Sequence, residues 1–128
     1  MSLPLRLKVL SGRFTVCRFP SGAALPSWAM EGPLSSITRT EDEVSVICAV
    51  ELVPAWVQRE DGWRCLKLLG PFPFSMVGIL VSVLTPLAEA RVGIFATSTY
   101  DTDYVLVKDV DLARALDVLV EAGHTVEL

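Results

Sequence analysis

The sequence predicts an α+β protein made of two tandem units, each an antiparallel sheet with helices on one face. Residues 63–128 follow the order strand, helix, strand, strand, helix, strand. The common solution for this βαββαβ order is the ferredoxin-like sandwich. A faint internal repeat supports a second copy, because "TRTEDEVSVI" (38–47) aligns with "STYDTDYVLV" (98–107).

Composition limits the class of protein. The chain has 128 residues, of which 52% are hydrophobic and 20% charged, so we expect packed cores and not disorder. The net charge of −4 and the lack of a basic stripe exclude nucleic acid as a partner. The most apolar window, "MVGILVSVL", is too short to span a bilayer, so we expect no membrane partner. Three widely spaced cysteines predict buried, reduced thiols in a cytoplasmic protein, without a metal site.

The elements from residue 63 to Thr85 come first in the second unit. "WRCLKLL" (63–69) has a strand pattern, which Pro71 and Pro73 end. "SMVGILVSVL" predicts a helix that begins near Ser75, whose hydroxyl would cap the first turn. Pro86 is expected to kink this helix or restart it after Thr85.

The rest of this unit is a hairpin, a helix and a short strand. "RVGIFATST" and "DYVLVK" are close enough in sequence to pair. "DVDLARALDVLVEAG" is amphipathic and ends at Gly123. "HTVEL" is predicted to be the final strand.

The first half is less regular. "LRLKVL" and "RFTVCRF" read as strands, "LPSWAM" as a short helix, "LSSITRT" and "EVSVICAV" as a hairpin, and "ELVPAWVQRE" as a short helix. The first unit then lacks its final strand. We therefore predict that residues 4–10 take that place, with domains at 1–62 and 63–128.

Two segments resemble a known family. "GIFATSTYDTDYVLVK" and "SITRTEDEVSVICAVELVP" resemble a subfamily of ACT domains with two tandem units, which is also related to the arginine-binding domains of the animal cytosolic arginine sensor. The resemblance runs from about residue 34 to the end of the chain. It implies the ferredoxin-like fold already predicted, and a regulatory module that binds an amino acid at the interface between units. The family's glycine before the first helix corresponds to Gly78, although Val77 stands where the family usually has proline.

An amino-acid site needs donors for the carboxylate and acceptors for the ammonium group. Gly78 and Ile79 lie where a helix N-terminus would supply free N–H groups. Asp103, with Ser98 and Thr99, would supply the oxygen atoms.

The first unit would add a backbone edge. Ser45 and Val46 are predicted to present an edge strand to the same cleft. Structural alternatives stay open: Gly78 permits close helix packing, and Asp101 and Asp103 only shape a turn.

Catalytic motifs are lacking. His124 is the single histidine and is predicted to lie at the surface near a helix end. We therefore expect no enzyme, no cofactor and no metal. The predicted function is an amino-acid-binding regulatory homodimer. The alternative is a protein-interaction module without a ligand. An exposed Trp56 or Trp63 would indicate an oligomer surface.

Overall fold

The computed structural model describes residues 3–128, which form two compact units. We call Ser11–Trp63 the inserted unit, and the residues up to Leu10 together with Arg64–Leu128 the split unit. The strands are β1 (Arg6–Val9), β2 (Phe14–Pro20), β3 (Ser36–Arg39), β4 (Glu43–Ala49), β5 (Arg59–Leu68), β6 (Ile94–Ser98), β7 (Asp103–Lys108) and β8 (Thr125–Glu127). The helices are α1 (Ile79–Glu89) and α2 (Leu112–Glu121), with single 3-10 turns at Ser27–Met30, Val50–Leu52 and Asp109–Asp111.

The split unit has the sheet order β8-β1-β5-β7-β6. Strand β1 is antiparallel to β5 and parallel to β8, while β6 and β7 form the predicted hairpin. The α+β prediction is confirmed, as is the order of elements from β5 to β8.

The prediction that residues 4–10 complete the first unit is wrong. Strand β1 lies between β5 and β8, where Leu7 is in register with Leu68 and Val126. The reason is its alternating pattern, which buries Leu5, Leu7 and Val9 in the same core as the two helices. Helix residues of that core are Ile79, Val83, Leu87, Ala115 and Leu119.

The inserted unit has the antiparallel order β3-β4-β2-β5. Its final strand is the first part of β5, which begins at Arg59 and not at Trp63 as predicted. The predicted helix "ELVPAWVQRE" shrinks to the turn Val50–Leu52, because the chain re-enters the sheet at Arg59. The core residues are Cys17, Ala29, Val44, Val46, Cys48, Val53 and Val57.

Helix α1 differs from the prediction at its start. It begins at Ile79, and the residue before it, Gly78, is left-handed with φ of +85°. The prediction that Ser75 caps this helix is therefore wrong. A positive φ is costly for residues with a Cβ atom, so glycine suits this turn.

Helix α1 also continues through Pro86, so the predicted restart after Thr85 is wrong. Pro86 lacks the N–H that would bond the carbonyl of Ser82. His124 replaces it, because its Nε2 lies 2.9 Å from that carbonyl oxygen.

His124 is buried, with 3% of its surface exposed, and the prediction of a surface position is wrong. Its Nδ1 accepts a hydrogen bond of 3.0 Å from the Leu5 N–H. Nε2 must then carry the proton and donate to Ser82. One imidazole thus joins the segment before β1, helix α1 and the start of β8.

Within residues 3–128, helices are all too short or too polar to cross a bilayer.

Candidate functional site

A cavity of about 220 Å³ lies in the split unit beside the β6–β7 turn. We call it the hairpin cavity. Its lining comes from the loop after β5, the start of α1 and the β6–β7 turn: Phe72, Pro73, Phe74, Met76, Ile79, Ser98, Thr99, Tyr100, Asp101, Thr102 and Asp103. The structure therefore brings together Ile79, Ser98, Thr99 and Asp103, four of the predicted site residues.

Asp103 and Ser98 are direct cross-strand partners. The Ser98 hydroxyl donates a hydrogen bond to Oδ1 of the Asp103 carboxylate. Asp103 is half-buried, so solvent screens its charge less than at an open surface. The bond orients the carboxylate and leaves its other oxygen as an acceptor.

The turn between these residues is held to β5 by Thr102. The Thr99 N–H donates to the Thr102 carbonyl at 2.8 Å and closes the turn. The buried Thr102 hydroxyl donates to the Leu68 carbonyl at 2.5 Å. Sequence reasoning missed Thr102, since a threonine in a polar run gives no sign of a buried partner.

The loop after β5 covers the same turn. The Phe72 N–H donates to the Asp101 carbonyl at 2.9 Å. Gly70 allows this close approach, because a Cβ atom there would lie 3.0 Å from the Asp101 carbonyl oxygen. Phe74 and Tyr100 pack edge to face with their ring centroids 5.0 Å apart, and both stay largely exposed.

Gly78 does not line the hairpin cavity. It lines a larger groove of about 490 Å³ with residues such as Val81, Ser82 and Glu89. A Cβ atom at Gly78 would meet nothing within 4 Å, so close helix packing does not explain this glycine. Its backbone conformation does.

Ser45 and Val46 do not form an edge strand, and that prediction is wrong. Strand β4 is paired on both sides, with Val46 in register with Cys17 on β2 and Ile37 on β3. The Val46 side chain is fully buried in the core of the inserted unit. Its neighbour Ser45 is half-buried.

The hairpin cavity has an acidic lining. Its charged residues are Asp101 and Asp103, and the described lining contains no lysine, arginine or histidine. Asp101 is exposed at the turn, where its carbonyl binds Phe72, so it has the turn position expected for it. The lining favours a cationic group such as an ammonium.

A family model for the ACT domain matches residues 58–121, which is half of the chain. The chain belongs to the ACT-domain family. A second family model, for an N-terminal domain, matches residues 12–56. All lining residues of the hairpin cavity lie within the ACT match.

Solved structures resemble this ACT protein over nearly its whole length. An X-ray structure of an Agobacterium tumefaciens protein shares 41% identity, with coverage of 98% of this chain and 93% of its own, at a TM-score of 0.93. A Vibrio cholerae protein of unknown function, described as a possible transport protein, shares 18%, with coverage of 93% and 90%, at a TM-score of 0.75.

An enzyme contains a similar fold as one part. The aspartate kinase of Clostridium acetobutylicum, described as an allosteric enzyme, shares 15% identity with this ACT protein at a TM-score of 0.63. The match covers 88% of this chain and 33% of the enzyme. At this identity it shows a shared fold.

Proposed function

We propose that this ACT protein is a regulatory module that binds a small amino acid in the hairpin cavity. The observation that carries the proposal is the Asp103 carboxylate, oriented by Ser98 in a cavity whose charged lining is acidic. An ammonium group would form charge-assisted hydrogen bonds with Asp103 and with the Thr99 hydroxyl.

The ligand carboxylate would bind at the start of α1. Gly78 has no side chain to cap the first turn, and Ile79 lines the cavity. The N–H groups of a first helical turn lack partners within the helix, and the helix dipole there favours an anion. The ligand would then span from Ile79 to Asp103.

Regulation would follow from what the ligand contacts. It would contact the β6–β7 turn, the loop that carries Phe72 and Phe74, and the start of α1 at the same time. A ligand shifts a conformational equilibrium by its difference in affinity for the two states. Binding across these segments would favour the arrangement that holds them together.

The finer features of the function are part of the proposal. We propose a cytoplasmic homodimer of tandem ACT units, with the ligand at an interface between units and a relationship to the arginine sensor. The exposed rings of Phe74 and Tyr100 at the cavity support a second surface there. Trp56 is 79% exposed, which supports an oligomer surface on the inserted unit.

The test is a thermal-shift panel of the twenty amino acids on the full chain. A ligand at about 100 Kd should add about 2.7 kcal/mol, which raises Tm by roughly 10 °C. Asp103→Asn should abolish the shift, and Ser98→Ala should reduce it. Asp117→Asn is the matched control, because Asp117 is an exposed aspartate on α2.

The same panel distinguishes the ligand-binding module from the alternative, a protein-interaction module without a ligand. If no amino acid raises Tm, the ligand-binding proposal is wrong. The exposed Phe74–Tyr100 pair then favours a protein-interaction module. If a ligand still raises the Tm of Asp103→Asn, the ligand binds at a site other than the hairpin cavity.

A further inference from the structure

A second cavity, of about 230 Å³, adjoins the same β6–β7 turn. We call it the lysine cavity. Its lining is Lys67, Leu69, Gly70, Pro71, Thr99, Asp101, Thr102 and Tyr104. Thr99, Asp101 and Thr102 also line the hairpin cavity, so a single turn forms a wall of both.

Lys67 and Tyr104 provide donors in this cavity. Both side chains are half-buried, and within residues 3–128 neither the ammonium nor the phenol has a hydrogen bond or an ion pair. Burial raises the pKa of Tyr104, and the nearby Cys65 and Asp101 raise it further. The phenol therefore stays protonated and can donate a hydrogen bond to an acceptor.

The neighbourhood of Lys67 attracts an anion. On β1, Lys8 stands directly opposite Lys67 in the antiparallel ladder, so two ammonium groups share one face of the sheet. Like charges in this arrangement repel. Glu127, opposite Lys8 on β8, is bound by Arg6 at 2.8 Å. An anion beside Lys67 would relieve the repulsion.

Asp101 adds the opposite charge to this cavity. The lining thus contains one cation and one carboxylate, whereas the charged lining of the hairpin cavity is acidic only. We infer that the lysine cavity is a second binding site, for a small zwitterionic amino acid. The ligand carboxylate binds the Lys67 ammonium and the Tyr104 hydroxyl, and its ammonium binds Asp101.

The shared turn connects the two cavities. A ligand in either one contacts Thr99 and Asp101, so occupancy of one site changes the affinity of the other. The lysine cavity stands on its own lining, and its existence does not depend on a ligand in the hairpin cavity.

The experiment is an NMR titration of backbone amides in the full chain, with glycine, acetate and methylammonium as probes. Amides of Gly70 and Tyr104 report the lysine cavity, and those of Ile79 and Ser98 report the hairpin cavity. Glycine is expected to shift the first pair. Acetate is expected to bind there more weakly than glycine, because it lacks the ammonium that binds Asp101.

Variants assign the contacts. Lys67→Met should weaken glycine binding at Gly70 and Tyr104 by about tenfold, since a hydrogen bond to a charged group is lost. Tyr104→Phe should weaken it a few-fold. Lys108→Met is the matched control, because it removes a half-buried lysine of β7 that lines neither cavity, and binding should change by less than about twofold.

Three results would overturn the inference. One is glycine binding at Gly70 and Tyr104 that is unchanged in Lys67→Met. Another is acetate binding as tight as that of glycine, which removes the role of Asp101. Shifts confined to Ile79 and Ser98 would also reject the lysine cavity while supporting the hairpin cavity. Shifts confined to Gly70 and Tyr104 would do the reverse.

Discussion

His124 gives the sharpest test of how the split unit is held together. His124→Leu replaces the imidazole with an apolar side chain of similar size and removes both of its hydrogen bonds. The Leu5 N–H and the Ser82 carbonyl then lose their partner. A buried polar group left without a partner costs about 1–3 kcal/mol.

The expected loss is the sum over these two groups, about 2–6 kcal/mol. Because Ser82 is only half-buried, water can reach its carbonyl, and we take about 3 kcal/mol. For a chain of this length that lowers Tm by roughly 10 °C. Pro86→Ala restores a helical N–H for the Ser82 carbonyl, so His124→Leu should cost about 1 kcal/mol less in that background.

The assay is urea denaturation followed by far-UV circular dichroism, with both single variants and the double variant. Thr125→Val is the control, because the Thr125 side chain is exposed and its backbone N–H, which bonds Leu5, is retained. Strictly additive effects of His124→Leu and Pro86→Ala would refute the view that His124 substitutes for the missing helical donor.

Other perturbations test separate features. Gly78→Ala should cost about 1 kcal/mol in urea denaturation because φ is +85°, whereas Gly22→Ala, without positive φ, should cost almost nothing. Thr102→Val should cost about 1–2 kcal/mol by thermal unfolding, since the Leu68 carbonyl loses its donor. Burial raises the pKa of Cys48 to about 11 and of Cys65 to about 12, from 9.0. The unfolded thiols ionise first, so the free energy of unfolding should fall as pH rises from 9 through 11 and 12, and less steeply in Cys65→Ala.

Local patterns predicted the hairpin well. The β6–β7 segments alternate and are close in sequence, so Ser98 and Asp103 had to meet across a short turn. The same short range explains why the helices of the second unit were predictable as amphipathic segments. The elements predicted best are therefore those whose structure depends on residues close together in the sequence.

Long-range partners were not predictable. The alternating apolar pattern of β1 does not show which strands it pairs with, and its partners on β5 and β8 are remote in sequence. The helix was wrongly predicted to restart at Pro86 for the same reason. The donor that replaces the missing N–H of Pro86 comes from His124, which is remote in sequence. The lysine cavity combines Lys67 of β5 with Asp101 of the β6–β7 turn, and no local motif predicts that the two residues line one cavity.

The placement of β1 determines the order in which the two units can fold during synthesis. Synthesis releases Ser11–Trp63 as a continuous stretch, which can form its own core before Arg64–Leu128 is synthesised. Strand β1 cannot complete its pairing at that stage, because one of its neighbours is β8, which is synthesised after the whole of Ser11–Trp63. Leu10 and Cys65 are joined by a backbone hydrogen bond of 2.9 Å, so the chain leaves and re-enters the split unit at one point. We therefore expect that a short linker could join Leu10 to Arg64 in place of the whole of Ser11–Trp63.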